Sequence, residues 1–185
     1  MGRNMESSKG FSLVEVLVTL VLITIGVLGM LTLQSKSIQY TQDSVNRNLA
    51  VTLANDLLGI MRAHRHEFFN NESPFAQLKS ATSIYDSNGV LKLNAQNCRA
   101  SSVAQNALEQ ANCWLKAVEA YLPDSDHPAI RSQLKLCPSF KTGQCAGSGY
   151  QGASLELQLA WRAKLGECRD DQDGTICTYV TRIEL

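Results

Sequence analysis

The chain has 185 residues, and its seventeen basic and seventeen acidic side chains cancel. That length favours one compact domain with an appendage over two full domains. The charge balance excludes a broad basic surface for nucleic acid, and the isolated basic positions at Arg62 and Arg65 do not restore one, so no nucleic-acid partner is expected.

The average composition conceals an asymmetry at the N-terminus. Between Lys9 and Lys36 the only charged residue is Glu15, and Val16 to Leu33 carries no charge. The apolar stretch Phe11 to Leu33 would form a helix about 34 Å long, enough for a hydrocarbon core of roughly 30 Å. A secretory signal has a shorter apolar core and a small-x-small cleavage site after it, and neither is present. A plain anchor explains the length, with Arg3 and Lys9 holding the N-terminus in the cytoplasm. It leaves Glu15 unexplained. An acid inside a membrane span costs roughly 2.5 to 3.5 kcal/mol at the helix centre, less near the interface, and reads as a functional group with a partner.

The run Gly10-Phe11-Ser12-Leu13-Val14-Glu15, after a short leader containing Lys9, resembles the class III signal of type IV prepilins. The resemblance implies that a prepilin peptidase cuts between Gly10 and Phe11 and methylates the new Phe11 amine, making N-methylphenylalanine. It also implies that Glu15, five residues into the mature chain, serves assembly. The physical logic agrees. Cleavage on the cytoplasmic side keeps the anchor and creates a cationic α-amine, which normally titrates near pKa 8, as counter-charge for a neighbouring subunit's Glu15.

No proline occurs between Phe11 and Ser73, so one helix is expected from Ser12 to about Arg65. Beyond Gln34 it becomes amphipathic, with Ile38, Val45, Leu49, Leu53, Leu57, Ile60 and His64 on one face. Gly26 and Gly29 either loosen the apolar half or allow close helix packing. The domain reading is a leader at 1–10, a transmembrane and filament-core helix at 11–33, an amphipathic continuation at 34–66 and a globular head at 67–185.

The chain is expected to turn loop-like after Phe68-Phe69-Asn70-Asn71, with a small hairpin about Asn88-Gly89. A second helix should run from about Ser102 to Tyr121, ended by Pro123. Alternation in Ser154 to Arg162 marks a half-buried strand, with further strand candidates at Arg131 to Cys137 and Thr175 to Leu185. Asp173-Gly174 would turn the chain between the last two. The fold class is α+β, a long N-terminal helix packed on a C-terminal antiparallel sheet, which matches the pilin fold.

Six cysteines, Cys98, Cys113, Cys137, Cys145, Cys168 and Cys177, lie in the second half and indicate disulfides in an oxidising compartment. Fifteen pairings are open. Nearest-neighbour pairs Cys137–Cys145 and Cys168–Cys177 would close short turn-rich loops, which leaves Cys98–Cys113. The late Cys168 and Cys177 also resemble the disulfide-bounded region of many pilins. Zinc is disfavoured because there is no C-x-x-C and no H-x₃₋₅-H. His64 and His66 at i and i+2 point to different sides of a helix and make a poor metal pair. Asp170-Asp171-Gln172-Asp173-Gly174 lacks the spacing and closing Glu of a calcium loop and reads as a solvated turn. No nucleophile elbow, P-loop or dinucleotide fingerprint is present, so neither catalysis nor a cofactor is expected.

Within the type IV pilins, the Glu15-Val16-Leu17-Val18 run and Ile25-Gly26-Val27-Leu28-Gly29 look most like the PilV-type minor pilins. The resemblance implies a subunit of the inner membrane with a periplasmic head, assembled later into a cell-surface pilus. It implies other minor pilins, the major pilin and a tip adhesin as partners, with roles in priming pilus assembly, twitching motility and adhesion. The alternatives are a minor pseudopilin of type II secretion, or a ligand-binding or adhesive head on a pilin stalk.

Overall fold

The computed structural model describes residues 12–70, 77–99, 106–146, 150, 152–168 and 174–184. Two compact units are present, residues 1–41 and 42–185. Helix α1 covers Leu13–Ala63, and its sequence supplies residues to both. Its first part is apolar on every side, whereas the second carries one buried stripe. Glu15 in the first turn and Arg62 in the last match the helix dipole in sign.

In the second unit α1 is followed by a short helix α2 at Arg65–Phe68 and two strands, β1 at Phe69–Asn70 and β2 at Gln77–Leu78. The loop-like stretch expected after Asn71 opens in residues outside the described ones and is interrupted by β2 at Gln77–Leu78. Phe69 and Asn70 pair with Leu78 and Gln77, and burial of Phe68, Phe69 and Leu78 holds the pairing in place. At Asn88-Gly89 a turn forms, fastened where Asp86 Oδ1 accepts from the amides of Asn88 and Val90. The expected hairpin shrinks to a single bridge, Tyr85 to Leu91. Gly89 has a φ of 81°, and a Cβ there would sit 2.9 Å from both Cys137 Cβ and Cys145 Sγ, so this position requires glycine.

Helix α3 spans Ala107–Tyr121, with the Asn106 side chain accepting from the Glu109 amide as N-cap. The start expected near Ser102 lies outside the described residues. At the other end Leu122, forced into an extended conformation before Pro123, closes the helix. Pro128 at N1 then starts a single turn, α4 at Pro128–Arg131. This corrects the strand expected from Arg131, since β3 begins only at Lys135 and runs to Pro138. Arg131 is engaged instead by Glu119 and by the Leu93 carbonyl at 2.6 Å.

Strands β4 (Ser154–Arg162) and β5 (Ile176–Glu184) complete an antiparallel sheet in the order β3-β4-β5. Asp173, expected to turn the chain between β4 and β5, lies outside the described residues. Leu155, Leu157, Leu159 and Trp161 form the core face of β4 with Ala50, Leu53, Leu57 and Met61 of α1 and Trp114, Leu115 and Val118 of α3. The Trp114 indole donates to the Leu53 carbonyl at 2.7 Å, tying α3 to α1 inside the core.

Two expectations about faces are corrected here. The buried stripe of α1 is Ala50, Leu53, Ala54, Leu57 and Met61, while Val45 is 49% exposed and Ile38 59%. Small alanines rotate the contact face away from the larger side chains that marked it in the sequence. Strand β4, read as half-buried, also buries Glu156 and Ala160 on its second face. That face is covered by α4 and by the loop between Cys137 and Cys145.

The six cysteines form three disulfides, Cys98–Cys113, Cys137–Cys145 and Cys168–Cys177. Each links neighbours in sequence. Cys98–Cys113 fixes the 3₁₀ turn Ala95–Asn97 to α3, where Asn112 Oδ1 also accepts from the Asn94 amide at 2.8 Å.

Candidate functional site: the N-terminal apolar helix

The residues that carry the processing chemistry in the sequence stand at the start of α1. Gly10 and Phe11 lie outside the described residues. Ser12 is the first described residue, and its carbonyl accepts from the amides of Glu15 and Val16, opening the helix. Glu15 is therefore one turn in, exposed, on a segment whose other side chains are almost all apolar.

Leu13–Ser35 is 23 residues, long and apolar enough to cross a membrane, and none of it is buried among the described residues. Leu13, Leu17, Leu22, Leu28 and Leu33 are all more than half exposed. Such a surface in water opposes solubility, so this segment needs lipid or other apolar helices around it.

Four polar side chains occur between Leu13 and Leu33: Glu15, Thr19, Thr24 and Thr32. Each threonine hydroxyl donates to the carbonyl three residues earlier, at 2.8, 2.8 and 2.7 Å. Sequence reasoning missed this, although the signal was legible: threonine in a helix reaches back to its own turn. Glu15 has no such recourse. Among the described residues the ion pairs join Asp43 to Arg47, Glu119 to Arg131 and Asp124 to Arg162, and none includes Glu15. Among the described residues the stretch from Leu13 to Leu33 thus presents one unpaired polar group, an acid near its N-terminal end. A Cβ at Gly26 or Gly29 would meet nothing within 4 Å, so packing inside the chain does not require glycine at either position.

Elsewhere the sequence candidates are less productive. The His64 and His66 rings are 6.3 Å apart and tilted by 59°, with Arg65 between them stacked over Phe69. Asp170, Asp171 and Asp173 lie outside the described residues. A mixed polar cleft of about 450 Å³ opens beside the Cys98–Cys113 disulfide, lined by Gln96, Arg99, Asn106, Glu109 and Asn112.

The chain matches the prokaryotic N-terminal methylation motif over residues 5–31, an interval that contains Gly10, Phe11 and Glu15. No curated protein and no solved structure matches the chain. The motif implies processing by a prepilin peptidase and assembly with other pilins, and its family is structural rather than enzymatic. With the apolar helix that overlaps it, the motif supports a type IV pilin-like protein, pilin or pseudopilin, anchored in a membrane before assembly.

Proposed function

We propose that this chain is a minor pilin that helps prime assembly of type IV pili and is incorporated at or near the filament tip. In this reading the leader is removed between Gly10 and Phe11, and Phe11 becomes the methylated N-terminus. The head stands in the periplasm while the apolar helix waits in the inner membrane. The observation that carries the reading is the methylation motif at residues 5–31 running into an exposed apolar helix whose Glu15 has no ion-pair partner among the described residues. An acid left alone in hydrocarbon is costly, and a neighbour's α-amine offsets that cost when the subunit leaves the bilayer. A PilV-type role, with a tip adhesin, other minor pilins and the major pilin as partners, rests on the likeness of the apolar segment alone.

N-terminal sequencing of protein from intact cells should begin at methylated Phe11. A start at Gly2, or beyond Leu33, would overturn the processing step. Glu15→Ala should still be cut but should fail to enter filaments; wild-type piliation in that strain removes the assembly role from Glu15. Deletion of the chain should abolish surface pili and twitching while leaving secretion of exported enzymes intact. The opposite pattern assigns it to type II secretion as a minor pseudopilin.

A further inference from the structure

One corner of the head is built on a chemically labile pair. Asn88-Gly89 is the one Asn-Gly step in the sequence. Glycine puts no side chain between its own amide nitrogen and the carboxamide that precedes it. The Gly89 nitrogen can therefore attack Asn88 Cγ and close a succinimide, a reaction that a larger residue at 89 would slow by crowding.

The fold does not let the chain escape that glycine. Gly89 is buried with a φ of 81°, and a Cβ there would lie 2.9 Å from both Cys137 Cβ and Cys145 Sγ. Its neighbour is placed the other way. Asn88 is exposed, and its carboxamide makes no hydrogen bond to a described residue.

The backbone around the pair is tied down instead. The Gly89 amide donates to the Asp86 carbonyl at 3.0 Å, closing a β-turn with aspartate first and glycine fourth. Asp86 Oδ1 accepts from the Asn88 amide at 2.9 Å and from the Val90 amide at 2.8 Å. At the edge of β3 Val90 bridges Lys135, and the Leu136 amide donates to the Gly89 carbonyl at 3.0 Å. Cyclisation requires the Gly89 nitrogen to lose its proton and bring its lone pair onto the side-chain carbon at close range. With its proton held by Asp86 and its carbonyl held by Leu136, Gly89 reaches that geometry only after local opening.

We propose that Asn88 is a site of spontaneous deamidation restrained by the Asp86 turn, and that its modification releases this corner from β3. In the step, Gly89 N bonds to Asn88 Cγ and the Cγ–Nδ2 bond breaks, so the side-chain nitrogen leaves as ammonia. One water then opens the imide. Addition at Cγ leaves aspartate, and addition at the Asn88 carbonyl carbon leaves isoaspartate, with the main chain running through the former side chain. The sum is amide plus water to acid plus ammonia, and nothing is oxidised or reduced. Either product sets a carboxylate two residues from Asp86, whose own carboxylate is the acceptor at the centre of the turn, and like charges so close repel. Isoaspartate also adds a carbon to the main chain beside a Gly89 already packed on the Cys137–Cys145 disulfide. The bond between Leu136 and Gly89 is the contact this displaces. The proposal rests on the head alone and does not depend on the pilin reading.

The test is to age the full chain in detergent in mildly alkaline buffer, folded and in denaturant. Mass spectrometry follows the change from amide to acid, with fragmentation to place it at residue 88. Folded wild type should convert roughly ten- to a thousandfold more slowly than the unfolded chain, because opening breaks several hydrogen bonds. Asp86→Ala, folded by circular dichroism, should convert about five- to tenfold faster than folded wild type, since two of those bonds are gone. Asp86→Asn keeps the oxygen, should stay near the wild-type rate, and serves if the alanine variant does not fold. Asn88→Gln should silence the site, because its side chain would have to close a larger ring. The deamidated chain, separated by its extra negative charge, should exchange the Leu136 amide faster than the unmodified chain. A folded-to-unfolded ratio outside the stated range overturns the proposal. So does Asp86→Ala at the wild-type rate, Asp86→Asn as fast as the unfolded chain, or an unchanged Leu136 exchange.

Discussion

Helix α1 contains two regions made of similar residues that meet opposite surroundings. From Leu13 to Ser35 its leucines and valines are buried by no described residue, with Leu22 62% exposed. From Ala50 to Met61 the same residue types are sealed, with Leu57 and Met61 fully buried against the sheet. The comparison teaches that apolarity sets only the requirement for cover. The segment with a polar back is completed within its own fold, and the one that is apolar all round depends on lipid or on other subunits.

The sharpest way to break this contrast is a paired truncation. Trp161→Ala should cost the head about 3–5 kcal/mol and Leu57→Ala about 2–5 kcal/mol in chemical unfolding of the full chain in detergent, because each empties a packed site. Leu22→Ala should shift the same transition by less than about 0.5 kcal/mol. A large effect at Leu22 would mean that the exposed region does support the head.

Disulfides also divide the molecule, since all three belong to residues 98–177. Replacing Cys168 and Cys177 together by serine should lower head stability by about 2–5 kcal/mol. A reductant titration followed by unfolding checks whether the intact bond accounts for that loss.

A smaller effect is expected at Glu156. Its two carboxylate oxygens accept from the Gly143 amide at 2.8 and 2.9 Å and hold the Cys137–Cys145 loop on the sheet. Glu156→Ala should cost about 1–3 kcal/mol by leaving that amide unpaired, and Glu156→Gln, which keeps an acceptor, should cost less.

The smallest predicted change concerns Tyr85, whose hydroxyl donates to the Lys79 carbonyl at 2.9 Å. Tyr85→Phe should cost about 1 kcal/mol. Burial also pushes the Tyr85 phenol far above its ordinary value of 10.0. The unfolded chain then ionises first, so this group's contribution is intact below pH 10 and declines as pH rises above it. Tyr85→Phe should remove that component of the alkaline slope; an unchanged slope would place its origin elsewhere.

The same division governs what the sequence made legible. The apolar helix and β4 announced themselves by period, because Leu155, Leu157, Leu159 and Trp161 alternate and no proline interrupts 12–63. Where small residues make the contact the pattern misleads, as at Ala50 and Ala54, which set the packed face while Val45 and Ile38 drew the eye. Two-residue strands such as Phe69–Asn70 have no period to read. Glu156 looked like a solvent-facing polar position, since nothing local to β4 reveals that a loop folds over it. The cysteine partners are those nearest in sequence, a geometry that short loops favour. Of the candidate site, the leader junction at Gly10 and Phe11 is read from motif chemistry, and the self-satisfied threonines were legible as well, since a helical threonine bonds back to its own turn.

Those threonines alter how the apolar segment changes company. A hydroxyl bonded to its own helix carries its partner wherever the helix goes, so Thr19, Thr24 and Thr32 ask nothing of what surrounds them. Exchanging lipid neighbours for protein neighbours then leaves their hydrogen-bond inventory unchanged, and the segment moves between the two as a greasy rod with a single electrical contact at one end.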